Sequence, residues 1–433
     1  MPKSVITRRR FLYSSAVATA AVFAAPAFLR GKSLNEKLNL GLIGVGNKGA
    51  ENLKGVSNEN IVALCDIDEN FLNAAAQKVP GAKKYRDFRN MLEQRDIDAV
   101  VVTIPDHNHA IAAMAALKLD KHVYCEKPLT HDLYEARQLA LAARERKVAT
   151  QMGNGGHASD SLRSAVEWIQ AGVIGPVGEV HAWSDRPIWP QGITRPIDTP
   201  PVPASLDWDL WIGTAPMRPY HKAYHPFNWR GWWDFGTGAL GDMGCHIIDP
   251  AFWALDLGYP ESVETESSPV NDETAPSWSR VHYQFPARGA LPPVKLTWHD
   301  GGKLPPRELL DLDADEKFPK NGSLFVGRKG RLLLMQGKSE LLPENQWRDF
   351  QPPPKMIPRS AGHYAEWIAA CKGGPAAFSN FHYAGPLTEM VLLGNLALRV
   401  GKKIEWDGRN LKARNAPEAD RYIRREYRGG WSS

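Results

Sequence analysis

Several signatures are missing from this 433-residue chain, and each absence removes a class of protein. Its four cysteines, Cys65, Cys125, Cys245 and Cys371, lie far apart with no C-x-x-C pair, so neither a zinc site nor a disulfide framework is expected. Buried free thiols are the plainer reading. Beyond residue 31 no apolar run is long enough to cross a bilayer, and nothing is repetitive or of low complexity. A surplus of one charge is absent too. The formal charge of +5 falls to +1 if the chain is cleaved after Ala27, because that cut removes Lys3, Arg8, Arg9 and Arg10 and no acid. With no basic patch left, nucleic acid is not an expected partner. At 43% hydrophobic and 23% charged residues the composition is ordinary for a globular protein, and the length allows two or three domains.

What is present begins with a leader. Thr7-Arg8-Arg9-Arg10-Phe11-Leu12 precedes an Ala-rich apolar run and then Ala25-Pro26-Ala27. Basic, apolar and small-residue regions in that order form an export signal, and paired arginines before Phe-Leu point to the twin-arginine route. The run Ser14 to Ala24 is too short to span a membrane. A signal peptide over 1–31 and a periplasmic or otherwise exported mature protein, with no membrane span after leader removal, are therefore expected.

Residues 34–154 read as a nucleotide-binding unit. The apolar run Leu38 to Ile43 leads directly into Gly44-Val45-Gly46-Asn47-Lys48-Gly49 and then a helix. Glycines there allow a tight turn and close approach to a pyrophosphate, which the helix N-terminus stabilises. A second strand, Ile61 to Cys65, ends in Asp66, about twenty residues on, where an acid hydrogen-bonds an adenosine ribose. Asp66 favours NAD over NADP, since a carboxylate repels a 2′-phosphate. Further apolar strands, Ala99 to Ile104 and His122 to Cys125, alternate with helices, which means a parallel sheet covered on both faces. The second of them runs into Glu126-Lys127-Pro128. Proline removes an N–H and disfavours helical geometry at Lys127, so the lysine sits extended at a strand's C-terminal end, where open α/β sheets hold ligands. Gly44, Gly46, Asn47, Lys48, Asp66, Ile67, Pro105, Asn108, His109, Glu126, Lys127 and Asn154 form the expected cofactor-facing set. His107 and His109, two apart with no third ligand nearby, do not make a metal site.

Residues 155–433 read as a second α/β domain. Alternating strands, Val263 to Glu266, Ser279 to Phe285, Val294 to Trp298, Ser323 to Val326 and Arg331 to Met335, indicate an antiparallel sheet with one solvated face. Before them lies a long Pro- and Trp-rich excursion whose indoles either stack on sugars or pack the loop's own core; Trp233 is the ring singled out for substrate. It leads into a Gly-rich helix start in which Asp242 and His246 share a face, with Asp249 a turn further on. A histidine beside a carboxylate suits proton transfer near neutral pH. A metal held by Asp242, His246 and Asp249, and a plain core histidine, are the competing readings. Helices are expected over Gly362 to Cys371 and Gly385 to Val400. The Arg-rich, aromatic tail from Arg421 is read as an arm on a neighbouring subunit or as solvated.

Taken together, G-x-G-x-x-G with Asp66, then Glu126-Lys127-Pro128, then Asp242-x-x-x-His246 resemble the Gfo/Idh/MocA oxidoreductase family, over Leu38 to about Asp407. The resemblance implies an N-terminal Rossmann domain with a parallel sheet, plus a C-terminal α/β domain with a large, mostly antiparallel open sheet that often forms dimers or tetramers. It implies an NAD cofactor, a sugar or glycoside substrate, Lys127 on the reacting hydroxyl and a cofactor ribose, His246 as acid/base, and Asp242 positioning substrate or imidazole. Export, where free NAD is scarce, adds the expectation that the NAD is tightly bound. One departure is Asn154-Gly155-Gly156-His157, which stands where many members carry an arginine, and His157 is the expected substrate contact there. Joined to the leader, the resemblance gives two expected reactions. One is hydride transfer between a sugar carbon and a retained nicotinamide. The other is a redox-neutral glycosidase working through a transient 3-keto sugar, which needs no pair of catalytic acids.

Overall fold

The computed structural model describes residues 36–432 apart from Ala314 and Gln336, so the expected leader lies outside the described residues. Six short strands, β1 (Asn39–Ile43), β2 (Asn60–Cys65), β3 (Lys83–Tyr85), β4 (Ala99–Val102), β5 (His122–Cys125) and β6 (Thr150–Met152), form one sheet in the order β3-β2-β1-β4-β5-β6. Every pairing in it is parallel. All four residues of β4 are buried, as Ala-Val-Val-Val requires when both faces are covered. The strand order reverses between β1 and β4, and a crevice opens there beyond the strands' C-terminal ends.

A second sheet contains β7 (Val177–Trp183), β8 (Ser262–Ser267), β9 (Ser279–Phe285), β10 (Val294–His299), β11 (Gly322–Gly327), β12 (Arg331–Met335), β13 (Lys338–Leu342), β14 (Ile404–Asp407) and β15 (Lys412–Ala413). Its order is β13-β12-β11-β7-β10-β9-β8-β14-β15, antiparallel except where β7 meets β10. Alternate residues of β9, Val281, Tyr283 and Phe285, face inward, where the helix Phe381–Val400 covers them. That helix starts four residues before the expected Gly385. Asn380 caps it by accepting from the His382 N–H at 2.9 Å, and Pro386 is carried inside rather than in the first turn.

Two long-range packings place the site. The helix His363–Cys371 returns to the first sheet, where Trp367 is fully buried against Leu40, Leu42, Val101 and Tyr124. The excursion between β7 and β8 has its own core, in which Trp208, Trp211, Trp229 and Trp232 pack with Leu206, Ile212, Tyr224 and Phe235. Four of its indoles are therefore structural. Trp208 and Trp211 stack at 4.6 Å, and Ile67 packs against the same cluster, which ties the excursion to the nucleotide crevice.

Candidate active site

The glycine loop is built for a backbone that something approaches closely. Gly44 has φ +82°, and a Cβ there would lie 2.0 Å from the Thr103 carbonyl oxygen. A Cβ on Gly46 would run into the Phe71 ring at 2.5 Å. Asp66 folds back onto this loop. Its Oδ2 accepts from the N–H groups of Val45 (2.8 Å) and Gly46 (3.3 Å), and its Oδ1 from Asp68 at 3.0 Å. Burial still holds this carboxyl above its ordinary range, against the pull of those N–H groups.

Gly44, Asp66, Ile67, Pro105 and Asn108 of the expected cofactor set line one cavity, together with Trp211 of the excursion. Arg86 also reaches it but is paired with Glu69 at 3.1 Å. A glycine cradle under an acid that ends the second strand fits NAD. Lys48 instead pairs along its own helix with Glu51 at 2.8 Å, and Asn47 has φ 44° with no side-chain cap. His109 is directed inward, its ring nitrogens 2.8 Å from the Pro128 carbonyl oxygen and 2.7 Å from that of Ile104. Asn108 is similarly engaged, its amide donating to Trp211 O at 3.1 Å and its oxygen accepting from Thr214 N–H at 3.1 Å. Glu126 is buried and accepts from Asn52 at 3.0 Å.

At the end of β5 the two halves of the chain meet in an ion pair. Lys127 Nζ donates to Asp242 Oδ1 at 2.7 Å and to the Asp242 carbonyl oxygen at 3.0 Å. Arg230 Nε donates to the same Oδ1 at 3.3 Å. Burial pushes the Asp242 carboxyl up, but Lys127 and Arg230 outweigh it and hold the group below the usual carboxylate range. His246 follows one turn later on the helix Gly238–Ile247. Burial, aided by the Lys127 ammonium and opposed by Asp242, pushes its imidazole down to about 3, so it is neutral at pH 7. Asp106, in the short turn Asp106–Asn108 that follows β4, accepts from the Thr237 hydroxyl at 2.7 Å, and burial raises its carboxyl to about 7.

Two of these partners were not visible in the sequence. Arg230 lies 4.3 Å from the Trp229 ring centre and 4.7 Å from that of Phe227, and the only signal for it is a lone arginine inside the Trp-rich run. Asp106 had no signal beyond its place after a buried strand.

The expected continuation of the Asp242 face to Asp249 fails. The helix stops at Ile247, and a new one begins at Asp249, whose neighbour Pro250 has no N–H to continue the first. Asp249 therefore faces another network. Its carboxylate lies 2.8 Å from His157 Nδ1 and accepts from Asn154 Nδ2 at 3.1 Å and the Tyr383 hydroxyl at 2.6 Å. Asn154 and His157 are thus brought to Asp249 in the interior, with His157 stacked on Trp253 at 4.3 Å. Trp233 is also buried, donating to the Asn271 carbonyl oxygen at 3.1 Å with Arg399 over its ring.

Residues 38–154 match the family model for the NAD-binding Rossmann fold of the Gfo/Idh/MocA oxidoreductases, and residues 177–291 match the model for that family's C-terminal α/β domain. The chain belongs to this family. Its cofactor is NAD, as the Rossmann match and the fit of the glycine cradle agree. Among relatives, a myo-inositol 2-dehydrogenase of Thermotoga maritima is 27% identical over 186 residues, covering 42% of this chain and 54% of that protein. A glycosyl hydrolase family 109 protein of Saccharopolyspora erythraea is 30% identical over 156 residues, 33% of this chain and 34% of that one. The matched segments thus span about half the length of these curated relatives or less. The WlbA dehydrogenase of Bordetella pertussis, solved with NADH and UDP-GlcNAcA, shares the fold across 86% of this chain and 99% of its own, with a TM-score of 0.61 at 17% identity.

Proposed function

We propose that this protein is an NAD-dependent oxidoreductase acting on a secondary hydroxyl of a sugar or cyclitol, with Lys127, Asp242 and His246 at the reacting carbon. The observation that carries this reading is the Lys127 ammonium, which Asp242 holds at 2.7 Å beyond the end of β5, next to the nucleotide crevice. When bound, the nicotinamide supplies the hydride acceptor. Lys127 offers its donors to the substrate oxygen on which charge develops as the carbonyl forms. Asp242 fixes the lysine, and its ionised state keeps Lys127 and Arg230 from repelling each other. His246, neutral at pH 7, takes the hydroxyl proton. An imidazole lowered to about 3 is a weak base, so proton transfer accompanies hydride departure rather than preceding it.

A second reading, the redox-neutral glycosidase, is supported by the family 109 relative. The same lysine would stabilise a transient C3 carbonyl and the same histidine would remove the acidified C2 proton. Absorbance at 340 nm followed together with aglycone release from aryl glycosides separates the two. Net NADH with no release supports the dehydrogenase. Release over many turnovers without net NADH supports the glycosidase, and neither signal across a sugar, inositol and glycoside panel sinks both. The Arg8-Arg9-Arg10 leader supports export of the protein, and export that survives replacement of all three arginines would refute the twin-arginine route.

A further inference from the structure

The segment 424–432 is bound across the nucleotide-binding half of its own chain, with Arg425, Tyr427, Arg428 and Trp431 half-buried and Arg424, Glu426, Gly429, Gly430 and Ser432 exposed. Arg425 donates to Glu135 at 2.9 Å, to the Thr214 hydroxyl at 3.0 Å and to the carbonyl oxygen of His107. Its own N–H reaches Asp132 at 3.3 Å, and the Tyr427 hydroxyl donates to Glu135 at 2.7 Å. Arg428 pairs with Asp209 at 2.6 Å and donates to the Gly213 carbonyl oxygen at 3.0 Å, gripping the helix Trp208–Ile212. Each arginine therefore fastens something different. Arg425 joins the first sheet's surroundings to the excursion, and Arg428 fixes the helix that carries Leu210 and Trp211.

The segment ends at the cofactor cavity. Trp431 lies against Phe88, with ring centres 6.2 Å apart, and under the Arg89 guanidinium at 4.5 Å, and its ring is part of the same cavity wall as Gly44, Asp66 and Trp211. The cavity is partly open and offers about 50 Å³ of space. That is well below the roughly 300 Å³ at which ligand pockets begin, so a nucleoside enters only if a wall moves. Of the two indoles, Trp211 is locked: it stacks on Trp208 and meets Phe235 edge-on at 4.7 Å. Trp431 is only partly buried and rests on the edge of the core, with Phe88 and Arg89 against its ring, so it is the wall freer to give.

We infer that segment 424–432 is a retention latch for the dinucleotide, in which Trp431 closes over the adenosine end and Arg425 and Arg428 hold it shut. The inference rests on NAD binding at the glycine cradle and adds the chain's own closing element. Once adenosine is in place, Trp431 gains an aromatic face to pack on, and departure requires that contact and the latch to open together. The effect belongs in the dissociation rate more than in the association rate.

The test uses the full mature chain loaded with NADH and chased with excess NAD, with release followed by NADH fluorescence. Trp431→Ala and, separately, Arg428→Ala are expected to release NADH at least about tenfold faster than the parent, with association changed less. Trp431→Phe, which keeps a ring beside Phe88, is expected to stay within about threefold of the parent. Release at the parent rate from both alanine variants overturns the latch while leaving NAD binding intact. So does slower release or tighter binding in Trp431→Ala, which would make the ring an obstruction. A parent protein that takes up no NADH overturns NAD binding, and the latch with it.

Discussion

Asp242 and Asp249 lie seven residues apart and centre two different networks. Asp242 faces cations, with Lys127 at 2.7 Å and Arg230 at 3.3 Å, at the junction of the two halves. Asp249 faces Asn154, His157 and Tyr383 in the interior, where no lysine or arginine bonds it among the described residues. The first arrangement holds a charge ready beside the nucleotide crevice. The second satisfies buried polar groups and braces the start of one helix against two distant segments. Similar residues thus face cations in one place, where the proposed reaction needs them, and serve architecture in the other, and what separates them is the break before Pro250.

Substitutions at each centre should therefore read out differently. The largest effect is expected for Asp242→Asn, which keeps the shape but removes the charge that fixes Lys127. Turnover should fall by about 10³, a preorganised electrostatic contact's worth, as measured by kcat/KM, while NADH affinity is kept. Asp249→Ala should instead cost about 3 kcal/mol in denaturant unfolding, because it strands buried donors; an unchanged midpoint would erase the contrast. Tyr383→Phe removes one 2.6 Å hydrogen bond of that network and should cost about 1 kcal/mol in the same assay, with turnover little changed.

The carboxyls near the cleft give a contrast in pH. Asp106 is raised from 3.8 to about 7 by burial, so the folded state binds its proton more tightly than the unfolded state does. Its contribution to stability is fully present below about pH 4 and is lost as the pH rises through about 7, with an upper limit of about 4 kcal/mol. Asp242, lowered below 3.8, has the opposite sign: its contribution is present above that value and is lost as the pH falls through its depressed folded pKa. Asp106→Asn should flatten the fall in melting temperature between pH 4 and pH 7, and a parent-like slope would remove Asp106 as its source.

The nucleotide half was legible because its signals are local. A buried strand, a glycine turn and an acid at the next strand's end occur within thirty residues, and the structure places Gly44 and Asp66 on one cavity. The placement of Lys127 just beyond a strand and of Asp242 and His246 on one helix was also legible, from a proline and from helical spacing. What escaped is what tertiary contact decides. Asp249 looked like a continuation of one face until Pro250 restarted the helix. His157 and Trp233, expected at the substrate, are buried, with Asp249 and Arg399 brought to them from elsewhere in the chain. β3, a Lys-Lys-Tyr edge strand, has no apolar pattern to announce it. The arginines of segment 424–432 find their partners some two hundred to three hundred residues back, a distance over which no sequence periodicity carries information.

The central claim is that Lys127 stands at the reacting carbon and not merely in an interdomain ion pair. Single-turnover hydride transfer in Lys127→Ala, measured beside the NADH dissociation constant, tests it most directly. Loss of transfer by about 10³ or more, with the dissociation constant within about threefold of the parent, is the predicted result. Transfer at the parent rate would contradict the claim and reduce the Lys127–Asp242 pair to a structural contact.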